Sequence, residues 1–134
     1  MPEPGTVIWN ELISTDVEAA KRHYCAVHGW SAMDTPGPKG GAYTVFLLGK
    51  RPVAGLMDIG LTVSPAGASS HWFQYVAVAD AAASFQLALD NGARSVREPW
   101  EVPGAGVLAI VEAPDGSVTG MMQPGENWGL QGSA

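Results

Sequence analysis

Two stretches of the chain run through the same succession of apolar and polar positions. Residues 6–13 are apolar except at Thr6, Asn10 and Glu11, which predicts a strand. Thr15 and Glu18 form a Thr-x-x-Glu capping box with the threonine as N-cap. Val17, Ala20, Tyr24 and Val27 then recur at helical spacing, and Gly29 suits a left-handed C-terminal turn. Strands are expected near 30–34, at 42–48 and at 53–59, with Gly49-Lys50-Arg51-Pro52 turning between the last two. The order then starts again. A strand at 71–78 leads to Asp80 as N-cap and to a stripe of Ala81, Phe85, Ala88 and Leu89, which Asn91-Gly92 ends. Strands at 94–100, 106–112 and 117–123 follow, the last two joined at Pro114-Asp115-Gly116.

The two passages are copies in one register. Asp16 and Asp80 lie 64 residues apart, while Val53-Ala54-Gly55-Leu56-Met57 and Val118-Thr119-Gly120-Met121-Met122 lie 65 apart, as do Gly41 and Gly106. Each copy reads strand, helix, strand, strand, strand. The chain is therefore expected to be one domain, 1–134, of two modules at 6–60 and 71–123, with a small-residue linker at 61–70 and a tail at 124–134 that carries Trp128. Glycine-rich segments such as 36–41 and 104–106 are expected to be turns, not phosphate loops.

Composition narrows the class of partner. Seven Lys and Arg against 13 Asp and Glu leave a formal net charge of −6 over 134 residues. Nucleic acid and anionic membranes want clustered cations, so neither is an expected partner. A single cysteine, Cys25, forbids an intrachain disulfide. With no apolar run of about 18 residues and no basic-apolar leader, a soluble cytoplasmic protein is expected.

The duplicated strand-helix-strand-strand-strand unit resembles the vicinal oxygen chelate superfamily of glyoxalases, bleomycin-resistance proteins and extradiol dioxygenases. The Trp9-Asn10-Glu11-Leu12 strand, Tyr24, Gly29-Trp30, the Trp72 to Asp80 string and Ala113-Pro114-Asp115-Gly116 carry the resemblance. It implies an α+β fold in which two tandem βαβββ modules form a curved, cup-shaped mixed sheet with the helices outside. Alternation along each strand would then put Trp9, Glu11 and Ile13, and His71, Phe73, Tyr75 and Ala77, on the concave side. Val53, Gly55 and Met57 would join them, as would Val118, Gly120 and Met122, and Tyr43 could reach in from its own strand. Metal-using relatives place a ligand, usually His, seven residues before the capping aspartate and a glutamate in the last strand. Those positions fall here on Trp9 and Phe73, and on Gly55 and Gly120, and none of the four has a ligating side chain. No cofactor is therefore expected.

These residues describe an aromatic-walled surface with one carboxylate. The expected function is metal-free binding of a planar or cationic organic molecule by Trp9, Glu11, Tyr43, Gly55, Met57, His71, Phe73, Tyr75, Gly120 and Met122. A metal-independent lyase, isomerase or cyclase with Glu11 as its catalytic acid or base is the alternative. A metal-dependent glyoxalase or dioxygenase with other ligands is a third reading, and turnover itself is left open. Glu11 could share its surface with His71 or pair with Arg97. The resemblance also implies a homodimer.

Overall fold

A computed structural model describes residues 2–36, 42–62 and 68–126. The fold is α+β and consists of two βαβββ modules, as the repeat implied. The expectations for 37–41, 63–67 and the tail with Trp128 lie outside the described residues. The compact units are residues 9–72 and residues 2–8 with 73–126. The N-terminal segment belongs to the second unit because Gly5 donates to the Ala77 carbonyl and Ala77 to that of Thr6, each at 2.8 Å.

In the first module, β1 (Val7–Ser14), α1 (Val17–His28), β2 (Ser31–Pro36), β3 (Ala42–Leu48) and β4 (Arg51–Asp58) follow one another. Their sheet order is β2-β3-β4-β1. The crossover through α1 makes β1 and β4 parallel, which sets Glu11 beside Gly55 and Ile13 beside Met57. β3 returns antiparallel, with Val45 beside Gly55. One face of the sheet is closed by α1. Leu12, Phe46, Ala54 and Leu56 form the core there, with Val17, Ala20, Tyr24 and Trp30 packed on them.

Three local expectations change. Asp16, not Thr15, is the N-cap of α1, accepting from the Ala19 N–H at 3.0 Å. Thr15 instead bonds the Ser70 hydroxyl, and Glu18 pairs with Lys21. Both residues are good caps, and Asp16 is the one whose backbone leaves the strand at the required place. Val27 is 59% exposed, so the α1 stripe stops at Tyr24. Val53 packs on the helix side because the β3–β4 register slips between Phe46 and Leu47. Gly29 takes the left-handed C-cap conformation as expected, with φ 72°.

In the second module, β5 (His71–Ala77), α2 (Ala81–Asp90), β6 (Arg94–Val102), β7 (Gly106–Glu112) and β8 (Val118–Pro124) repeat the plan in the order β5-β8-β7-β6. Asp80 caps α2 through Ala83. Phe85, Ala109 and Val111 form the helix-side core. Tyr75 stands beside Gly120 and Ala77 beside Met122, as Glu11 and Ile13 stand beside Gly55 and Met57 in the first module. No helix of the described residues is long and apolar enough to cross a membrane.

Candidate functional site

The face of each sheet turned away from its helix carries the candidate residues, and each is built around a glycine. In the first module Glu11 lies on β1, 7% exposed, in the buried half of the strand with Leu12, Ile13 and Ser14. A carboxylate there would cost several kcal/mol, on the order usual for an uncompensated buried charge. Burial accordingly pushes the Glu11 carboxyl above its ordinary value, and a hydrogen bond from Tyr43 opposes part of that rise.

Tyr43 reaches Glu11 from β3. Its hydroxyl donates to Glu11 Oε1 at 2.8 Å and accepts from Trp9 Nε1 at 3.0 Å. Trp9, Tyr43 and Glu11 thus form one chain of hydrogen bonds. The chain exists because Gly55 has no side chain. A Cβ on Gly55 would collide with the Tyr43 hydroxyl, and would lie 2.7 Å from Tyr43 Cζ and 3.1 Å from Trp9 Nε1. Close approach of a ring to the backbone is what a glycine within a strand permits.

The second module solves the same geometry with different residues. The ring over Gly120 is Tyr75, from the strand position equivalent to Glu11. A Cβ on Gly120 would collide with that ring and lie 3.0 Å from Phe73. Phe73 and Tyr75 meet edge to face at 5.0 Å, and both are buried, as is Met122. One module therefore covers its glycine from β3, the other from its first strand.

His71 is not among the residues brought to Glu11. It is exposed at the start of β5, with Nδ1 bonded to the Ser69 carbonyl at 2.8 Å. The Arg97 guanidinium lies 3.7 Å over the Trp100 ring of its own strand. Glu112, at the end of β7, is held by Arg94 at 2.7 Å. The Tyr43–Glu11 bond is the feature that residue-by-residue reading missed, although the parity of Tyr43 already put both on one face.

A divalent metal does not fit this donor set. Trp9, Phe73, Gly55 and Gly120 offer no ligating atom, and the space over both glycines is taken by tyrosine rings. Among the described residues no three His, Cys, Asp or Glu side chains converge.

Paired βαβββ modules of this kind define a fold class that unrelated activities share. Within it, the chain belongs to the Glyoxalase/Bleomycin resistance protein/Dioxygenase superfamily, whose sequence profile matches residues 6–119. It is 32% identical over 122 residues to a protein of Mycobacterium bovis provisionally named glyoxylase CFP32, covering 91% of this chain and 45% of the relative. It is 35% identical over 100 residues to the anthracycline biosynthesis protein DnrV of Streptomyces peucetius, covering 75% of this chain and 35% of that one. The chain thus spans less than half the length of these relatives. Methylmalonyl-CoA epimerase from Mycobacterium tuberculosis superposes with a TM-score of 0.67 at 13% identity, covering 95% of this chain and 93% of that one. That likeness is one of fold.

Proposed function

We propose that the protein binds a flat organic molecule, without a metal, against Trp9 and Tyr43 on the helix-free face of the first module. Glu11 is the polar anchor of the ligand, and Met57 is an adaptable neighbour for it. Phe73, Tyr75 and Met122 supply an aromatic surface of the same kind in the second module. The observation that carries this reading is the buried Glu11 carboxyl held by Tyr43 over Gly55. Nothing in the packing of the core requires an acid there, and a leucine would fill the position at lower cost. His71 is left out of the binding set because it is exposed and held by Ser69.

Thermal denaturation in the presence of a panel of planar heteroaromatic compounds tests this reading. Saturable stabilisation that Trp9→Ala removes is expected. A panel that shifts the melting temperature of neither protein would contradict it.

The Glu11 carboxyl, pushed above its ordinary value by burial and within reach of Tyr43, also favours the second reading, a metal-independent isomerase or lyase in which Glu11 moves a proton. Under that reading Glu11→Gln retains binding and loses turnover. We further propose a homodimer, on the strength of the family resemblance, and sedimentation of the purified chain tests it.

A further inference from the structure

The helix-free face of the second module continues beyond Gly120 to the edge of the sheet. Gly120 is in register with Ile110 on β7, and Ile110 with Arg97 on β6. One step along, Met122 stands beside Leu108 and Leu108 beside Trp100. Ala109 and Val111 pack toward α2, so Leu108 and Ile110 project from the opposite face. Directly paired residues of antiparallel strands share a face. Arg97 and Trp100 therefore stand on the same side as Tyr75. The contact between them agrees, with the Arg97 guanidinium 3.7 Å over the Trp100 ring.

A charge on an edge strand deters pairing with other chains, so a cation on β6 is not by itself the sign of a ligand. Its surroundings are. The strand's other arginine, Arg94, is taken by Glu112 at 2.7 Å, whereas Arg97 has no carboxylate within ion-pair distance among the described residues. Stacking engages the flat face of a guanidinium and leaves its rim of N–H donors for a planar oxyanion. The surface beside Arg97 is apolar: Ile110 is half-buried, and Val118, in register with Glu112 on the same face, is 41% exposed. Glu101 turns away, being in register with Val107 on the helix side. In the first module the residue 64 positions earlier is Met33, beside Val45 as Arg97 is beside Ile110. The repeat supplies the position, and the second copy fills it with a cation.

We propose that this face binds an aromatic carboxylate, whose oxygens take the Arg97 N–H donors and whose ring lies over Ile110 with Trp100 and Val118 on either side. The proposal rests on reading the second-module surface as a binding face and adds the charge of its ligand; Glu11 has no part in it. A guanidinium already held by a ring loses little side-chain freedom when it takes a planar anion, and its fork of donors matches two carboxylate oxygens. The net charge of −6 repels anions from the chain as a whole. A carboxylate that binds here therefore needs a placed cation.

Naphthalene-2-carboxylate and naphthalene-2-carboxamide share one outline and differ in charge. Two-dimensional NMR titrations of the whole chain with each at neutral pH, followed at the Trp100 indole N–H and the Ile110 methyl groups, separate the possibilities. The carboxylate is expected to shift both signals saturably and to bind about fivefold more tightly than the amide, the upper scale of one exposed ion pair. Raising the salt from about 0.05 to about 0.5 M should remove most of that difference. This comparison needs no variant. Arg97→Gln should bring the carboxylate down to the affinity of the amide, and Arg97→Lys, which keeps the charge without the fork, should fall between. Lys50→Gln removes an equal charge from a turn of the first module and should change nothing. Equal affinity for the two compounds, or a preference that survives Arg97→Gln, would overturn the proposal while leaving the face a binding surface. Saturable shifts confined to Trp9 would overturn it and put the ligand on the first module. No saturable shift with either compound would overturn both the proposal and the reading of the second-module face.

Discussion

The phenol of Tyr43 lies over Gly55 so closely that a single methyl group on the glycine would take the place of the hydroxyl. The two residues sit on adjacent antiparallel strands, and neither has this arrangement without the other. Gly55→Ala should therefore displace Tyr43 and break its bonds to Glu11 and Trp9. A loss of about 1–3 kcal/mol is expected, the usual cost of overpacking, measured by denaturant unfolding. Gly120→Ala should cost a similar amount by moving Tyr75 against Phe73. Unchanged stability in both would mean that the rings yield freely and that the glycines are incidental.

Tyr43→Phe keeps the ring and removes the hydroxyl. Trp9 Nε1 then loses its acceptor and Glu11 its donor. A destabilisation of about 1–3 kcal/mol is expected from the polar groups left unpaired. The Glu11 carboxyl should also titrate higher than in the parent, because the Tyr43 bond is the influence that lowers it. Carboxyl carbon NMR across a pH series checks this. A shift downward would contradict the assignment of Tyr43 as donor.

The stability of the protein should carry a signature of Glu11 with a definite sign. A carboxyl whose folded value is raised binds its proton more tightly in the native state than in the unfolded chain. Its contribution is complete below the unfolded value, about 4.3, and is lost as pH rises through the folded value. Glu11→Gln cannot ionise, so the melting temperature of the variant should gain on the parent as pH rises across that window. Below it the two should run parallel. A gain appearing only as pH falls would show that Glu11 is held as a carboxylate.

The cap of α1 separates two readings of one short segment. Asp16→Ala should cost about 1 kcal/mol, the ordinary value for a lost N-cap. It should also speed exchange of the Ala19 amide, which Asp16 protects. Thr15→Ala should leave that amide unchanged and cost less, since it removes only the bond to Ser70. Equal effects of the two substitutions would restore Thr15 as cap.

Most of the framework was legible in the sequence because it depends on local periodicity and on the repeat. β3 and β7 begin and end where alternation placed them, and the 65-residue offset that aligns Gly55 with Gly120 is the same one that sets Val45 and Ile110 beside them. Asp80 could be read as a cap because no competing cap stood next to it, whereas Thr15 and Asp16 compete. The slip between Phe46 and Leu47, which turns Val53 toward the helix, leaves no mark in an alternating pattern. The site was legible as a face but not as a set of bonds. Glu11 and Tyr43 are 32 residues apart, and their contact depends on a ring crossing a glycine, which strand alternation alone does not specify. His71 shares the parity of Phe73 and Tyr75, but it stands at the first position of its strand, where solvent and the Ser69 carbonyl take it instead.

Two-dimensional NMR of the labelled protein, titrated with a planar heteroaromatic compound, tests the central claim most directly. The Trp9 indole N–H, identified by its loss in Trp9→Phe, and the Gly55 amide both lie within the proposed binding face. Saturable shifts at these two signals, with the same affinity, are the expected result. Saturable binding that leaves both signals unmoved, or no binding at any accessible concentration, would contradict the account.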